Sequence, residues 1–134
     1  MSGLVIKLAP QERLLVNGAV LENGDRRARL AILTPNTNIL RLRDAIRPDE
    51  ANTPVRRVCY MAQLVLSGDA TPDDIRRPLL LGIEQLSQVF TDPDSRALLR
   101  DASRGVVDGD AYATLRALRG LLPREARLIA AVPT

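Results

Sequence analysis

The chain has 134 residues, 46% of them hydrophobic and 26% charged, which suits one domain or two very small ones and is too apolar for a disordered tail. It contains no histidine and a single cysteine, Cys59. A histidine general base, a Ser/His/Asp or Cys/His catalytic set, a Cys/His zinc site and an intrachain disulfide are therefore all excluded within one chain.

The net charge of +3 is unevenly spread. Up to residue 57 ten bases face six acids, and after it nine bases face ten acids. Lys7 is the only lysine, and arginine is the cation that pairs bidentately with phosphate and stacks on bases, although GC-rich coding produces the same bias. No apolar run approaches the roughly 20 residues needed to cross a bilayer. The opening residues MSGLVIKLAP alternate apolar and polar and lack the charged start and apolar core of a signal peptide. The expectation is a cytoplasmic protein with no membrane contact.

In chain order, the first 47 residues show period two. Leu4, Ile6 and Leu8 oppose Val5 and Lys7; Ala28, Leu30 and Ile32 oppose Arg27, Arg29 and Ala31; Leu40 and Leu42 oppose Ile39, Arg41 and Arg43. Asn17-Gly18 and Asn23-Gly24 suit the positive φ angles of hairpin turns, and Pro35-Asn36-Thr37-Asn38 reads as a further turn. Four or five half-buried antiparallel strands are expected.

After Arg47-Pro48-Asp49-Glu50 the period becomes helical. Thr53 caps a helix with Pro54 at its first position, and Val55, Val58, Cys59, Ala62, Val65 and Leu66 form an apolar stripe that stops at Gly68. Thr71-Pro72-Asp73-Asp74 opens a second helix, in which Ile75, Leu79, Ile83, Leu86 and Phe90 continue the stripe and Pro78 is expected to kink or split it. Asp92-Pro93-Asp94 opens a third helix, to about Val107, and Asp110 caps a fourth that is expected to end near Pro123.

Little of this looks catalytic. Asp73 with Asp74, and Asp92 with Asp94, lie at Pro-marked helix starts, where capping alone favours carboxylates. Val106-Val107-Asp108-Gly109-Asp110 lacks the ligand spacing of a calcium loop. Cys59 belongs to the apolar stripe and reads as a small core residue. Gly3, Gly18 and Gly24 form no phosphate-cradling pattern. What remains is basic: Arg26, Arg27 and Arg29 on one strand, Arg41 and Arg43 on another, Arg56 with Arg57 at a helix start. Arginines on a strand face are often only a solvated surface; the alternative is a nucleic-acid surface. No aromatic residue lies in the basic sheet, so stacking on an RRM-like platform is excluded, and RNA would be held through phosphates, arginine planes and strand edges.

Four stretches resemble the FlbT family of flagellar biosynthesis regulators: LVIKLAPQERLLVNGAVLENGDRRARLAILTP from Leu4 to Pro35, LRLRDAI from Leu40 to Ile46, TPVRRVCYMAQLVLSGD from Thr53 to Asp69, and GIEQLSQVFTDPDSRALL from Gly82 to Leu99. The resemblance implies a bacterial cytoplasmic regulator that associates with the 5′ untranslated region of flagellin mRNA, usually repressing flagellin production and promoting message decay, alongside a partner, FlaF. A weaker likeness joins the N-terminal part to the CsrA family of RNA-binding β proteins. Gln11-Glu12-Arg13-Leu14-Leu15-Val16 echoes that family's GE-x-L-x-I turn, with Gln11 in place of the glycine, and Arg43-Asp44-Ala45-Ile46 echoes its final strand. Leu8 and Ala9 stand where that family has basic residues.

The fold expected is α+β, with a small antiparallel β module over residues 1–50 and a bundle of about four helices over 51–134. The function expected is non-enzymatic binding of the flagellin mRNA leader, without metal or cofactor, by a homo-oligomer. Lys7, Arg26, Arg27, Arg29, Arg41 and Arg43 are the expected RNA contacts, inferred from the charge pattern alone. The alternative is a chaperone-like module whose helical grooves bind flagellin or FlaF.

Overall fold

The computed structural model describes residues 4–35 and 37–132. Five strands come first: β1 Leu4–Leu8, β2 Arg13–Val16, β3 Ala19–Glu22, β4 Ala28–Ile32 and β5 Ile39–Arg41. They form two antiparallel units, a two-stranded ribbon of β1 with β4 and a three-stranded sheet in the order β3-β2-β5. In the ribbon Ile6 lies opposite Leu30 and Lys7 opposite Arg29. Ile6 is buried while Val5 and Lys7 are exposed, which is the alternation the sequence predicts.

The first Asn-Gly pair turns as expected, with Asn17 at φ 47° and Gly18 at φ 87° between β2 and β3. The second does not make a hairpin. The Asn23 side chain donates to the carbonyls of Ala9 and Arg26, both at 2.8 Å, and the Gly24 carbonyl accepts from the Gln11 N–H at 2.9 Å. Asn23 thus fastens the crossover from sheet to ribbon, and β4 pairs with β1 instead of β3. The turn expected over Pro35 to Asn38 includes Asn36, which lies outside the described residues.

The last strand also departs from expectation. Both Ile39 and Leu40 are buried, so β5 is covered on two faces, and it ends at Arg41. The chain then enters a 3₁₀ turn, Leu42–Asp44, closed by the Ala45 N–H on the Leu42 carbonyl at 3.2 Å. Arg41 and Arg43 therefore share no strand face, and the segment echoing a CsrA final strand is turn and loop. A second 3₁₀ turn spans Pro48–Glu50.

The helices are α1 Pro54–Leu66, α2 Pro72–Ser87, α3 Pro93–Val107, α4 Ala111–Arg119 and α5 Leu122–Ala131. The first four begin at the expected caps, with Thr53, Thr71, Asp92 and Asp110 accepting from the backbone N–H three residues on. All six apolar stripe residues of α1 are buried, and Gly68 follows it at φ 83°. Pro78 does not end α2. It stands on the exposed side, away from the packed face, and the helix continues to Ser87.

Pro123 opens a fifth helix instead of ending the fourth. It occupies the first turn of α5, where a missing N–H leaves no hydrogen bond unmade. From α5 the buried Glu125 accepts the Thr53 hydroxyl and the Val55 N–H, the latter at 2.8 Å, so a residue 70 positions away completes the α1 cap. Helices α3 and α4 cross closely: a Cβ added at Gly105 would lie 2.4 Å from Thr114 Oγ1 and 2.9 Å from its backbone nitrogen.

Two polar clamps join the strands to the helices. Gln63 on α1 accepts from the Ile46 N–H at 2.7 Å and donates to the Ile46 carbonyl at 2.9 Å. Arg119 on α4 donates to the Asp44 carbonyl at 3.0 Å and pairs with its carboxylate at 3.2 Å. Leu40 joins the main core, among Val55, Cys59, Ala62 and Leu118.

Candidate functional site

Three basic environments lie on or beside the β strands, and they differ in what their charges do. The innermost is a knot around Glu12. Gln11, at φ 59°, takes the left-handed conformation that glycine adopts most easily, and the turn it makes tucks the Glu12 carboxylate inward. Arg41 grips that carboxylate with two hydrogen bonds, Nε at 2.6 Å and Nη2 at 2.7 Å, and Nη2 also donates to the Lys7 carbonyl at 2.6 Å. The Ala9 N–H adds a fourth bond at 3.0 Å. The Arg41 hydrogen bonds, aided by the Ala9 N–H, hold the Glu12 carboxyl at about 2 against desolvation, and the same pairing raises Arg41. This guanidinium ties β5 to β1 and to the turn before β2. Of the six expected RNA contacts it is the one whose guanidinium is largely buried in its pairing.

Arg43 sits at the rim of that knot, 3.8 Å from Glu12 and 3.9 Å from Asp44, with its side chain 56% exposed. Its position in the 3₁₀ turn directs it away from the ribbon register.

The second environment is the outer face of the ribbon. Lys7 on β1 and Arg29 on β4 are directly opposed, and Arg27 precedes Arg29 by two residues on the approach to β4. All three are exposed, and none makes an ion pair among the described residues. Like charges directly opposite each other destabilise a strand pair, so folding alone gives no reason for Lys7 to face Arg29. Arg26 lies in the bend before β4, where its carbonyl receives Asn23. The structure thus gathers Lys7, Arg27 and Arg29, sets Arg43 apart, and locks Arg41 inside.

The third environment is a cleft of about 350 Å³ between β1, β5 and α4. Lys7, Arg41, Arg116 and Arg119 line it against one carboxylate, Asp44, with Tyr112 on the same wall. Sequence reasoning missed this cleft because its two walls are more than 70 residues apart. The available signal was the spacing of Tyr112, Arg116 and Arg119, which places all three on one face of a helix.

Cys59 has no part in these surfaces; burial pushes its thiol up to about 12 and leaves it inert. Among the described residues no group of three or more His, Cys, Asp or Glu side chains is placed to hold a metal ion. None of the described helices is long and apolar enough to cross a membrane.

The family model of the flagellar protein FlbT matches residues 4–129. The chain belongs to the FlbT family. Among its relatives, a probable flagellum biosynthesis repressor protein FlbT of Allorhizobium ampelinum is 34% identical over 128 residues, covering 96% of this chain and 85% of the relative. The protein of that name numbered 1 in Bradyrhizobium diazoefficiens is 32% identical over 131 residues, covering 93% and 84%. That of Rhodopseudomonas palustris is 31% identical over 127 residues, covering 94% and 97%. No solved structure matches the chain. This FlbT family member is therefore a flagellar protein whose curated relatives are named as repressors, and its α+β architecture is the one described above.

Proposed function

We propose that this protein is a non-enzymatic, cytoplasmic, post-transcriptional repressor of flagellum biogenesis that binds the 5′ untranslated region of flagellin mRNA, limits its translation and promotes its decay. The observation that carries the reading is the opposition of Lys7 and Arg29 on an exposed ribbon, with Arg27 beside them. That arrangement destabilises the strand pair unless an anion spans it. The repressor names of the relatives supply the biological setting. Decay of the message is then the work of a host nuclease, since the chain offers no histidine and no phosphate loop. Self-association belongs to the same reading, because a two-stranded ribbon has two open edges.

The test is a titration of purified protein with the flagellin leader RNA across a salt series. If Lys7, Arg27, Arg29 and Arg43 neutralise four phosphates, the slope of log K against log salt is about −3 for a single strand. A slope near zero removes the RNA reading. It would favour the alternative of a protein partner such as flagellin or FlaF, for which the exposed Leu128, Ile129 and Val132 at the end of α5 provide an apolar surface.

A further inference from the structure

The basic ribbon does not end at its own edge. Lys7 belongs both to the ribbon face, opposite Arg29, and to the lining of the cleft against α4. Across that cleft stand Tyr112, Arg116 and Arg119, three residues of one helix face. Arg119 is held by Asp44, whereas neither Lys7 nor Arg116 has an ion-pair partner among the described residues. Two basic residues without an ion-pair partner among the described residues thus line one space from two separate elements. An aromatic ring is beside them.

A second cleft, of about 540 Å³, adjoins the first and shares Tyr112 and Arg116 with it. Among the charged residues of its further lining carboxylates prevail, Asp101, Asp108 and Asp110 against Arg104. The sign of the lining therefore reverses at Tyr112. A phosphate is attracted as far as Arg116 and repelled beyond it, while a neutral base with hydrogen-bond donors on its edge is accepted on the acidic side.

We propose that this cleft seats one unstacked nucleotide of the bound RNA, its backbone phosphate between Lys7 and Arg116 and its base against Tyr112. This rests on the RNA reading given above and adds to it a specific place where the path of the strand passes from the ribbon onto the helices. Tyr112 supplies the stacking partner that the ribbon lacks. An aromatic ring holds any base through its π-face, and the phosphate contact fixes the strand beside it.

The test uses a fluorescently labelled single-stranded flagellin leader RNA and the full-length protein, with anisotropy read over a salt series. Arg116→Ala weakens binding and flattens the salt slope by about 0.7, as expected for one phosphate contact. Tyr112→Leu weakens binding by roughly 5- to 150-fold with the slope unchanged, as expected for loss of one stacked base, and Tyr112→Phe restores it. Arg100→Ala, an exposed change on α3 outside both clefts, leaves affinity and slope alone. Circular dichroism melts of each variant separate loss of fold from loss of contact. If the parent protein binds with a steep salt slope but Arg116→Ala and Tyr112→Leu bind as it does, the cleft proposal is overturned and the ribbon reading stands. If the parent shows no salt-dependent binding, both fall.

Discussion

The helix starts and the ribbon use polar groups in opposite ways. At the helix starts, polar side chains answer the backbone: Thr53, Thr71, Asp92 and Asp110 each close the first turn of their own helix, and Glu125 completes the α1 cap. Even the exposed Asp92 is lowered below the usual carboxylate range, first by its hydrogen bond to Ser95. In the ribbon, Lys7, Arg27 and Arg29 stand exposed and close together without an acid to pair with among the described residues. Exposed arginines of the helices such as Arg56, Arg57 and Arg100 also lack an ion pair among the described residues, so what sets the ribbon apart is the direct opposition of Lys7 and Arg29, and the proposed anion contact rests on that. The Glu12–Arg41 knot lies between these regimes, a cation of the β strands recruited wholly into structure.

The largest expected effect comes from cutting that knot. Glu12→Ala leaves the Arg41 guanidinium mostly buried without its carboxylate and should destabilise the protein by about 3 kcal/mol or more, read from urea unfolding. The pH dependence has the same origin. Because the folded Glu12 carboxyl lies near 2, below its ordinary value of 4.5, its contribution is fully present above pH 4.5 and is lost as pH falls toward 2. Glu12→Gln should flatten the stability profile in that window.

A smaller effect is expected where α3 meets α4. Gly105→Ala puts a Cβ against the Thr114 backbone and hydroxyl, and should destabilise by about 1–3 kcal/mol without altering the salt slope of RNA binding. If that slope changes at constant fold, the α3–α4 contact reaches into the proposed RNA surface.

The two regions also differed in how far they could be read from residue order. A helix cap and its N–H partner are three residues apart and an apolar stripe repeats within a turn, so α1 to α4 begin where the pattern places them. Helix α5 was hidden because Pro123 signals a start as well as a stop, and Leu121 carries no capping side chain. Its anchoring depends on Thr53 and Val55, far away in the chain. In the β strands, period two identified the exposed side of Lys7 and Arg29 but not their opposition, which needed the β1 with β4 pairing. The fate of Arg41 was set by Glu12, 29 residues earlier, and alternation carries no information about such a partner. The shared face of Tyr112, Arg116 and Arg119 was legible from their spacing, but its opposition to β1 and β5 was not, for the same reason.

The smallest expected change in stability belongs to the ribbon itself, and it tests the central claim most directly. Lys7→Ala and Arg29→Ala each remove one of two opposed like charges, so urea unfolding should show stability unchanged or raised by about 0.2–1 kcal/mol. The same proteins, titrated with flagellin leader RNA, should bind more weakly, with a salt slope flatter by about 0.7 for each cation removed. Stability lost while RNA affinity and slope are kept would contradict the account, because Lys7 and Arg29 would then be serving the fold.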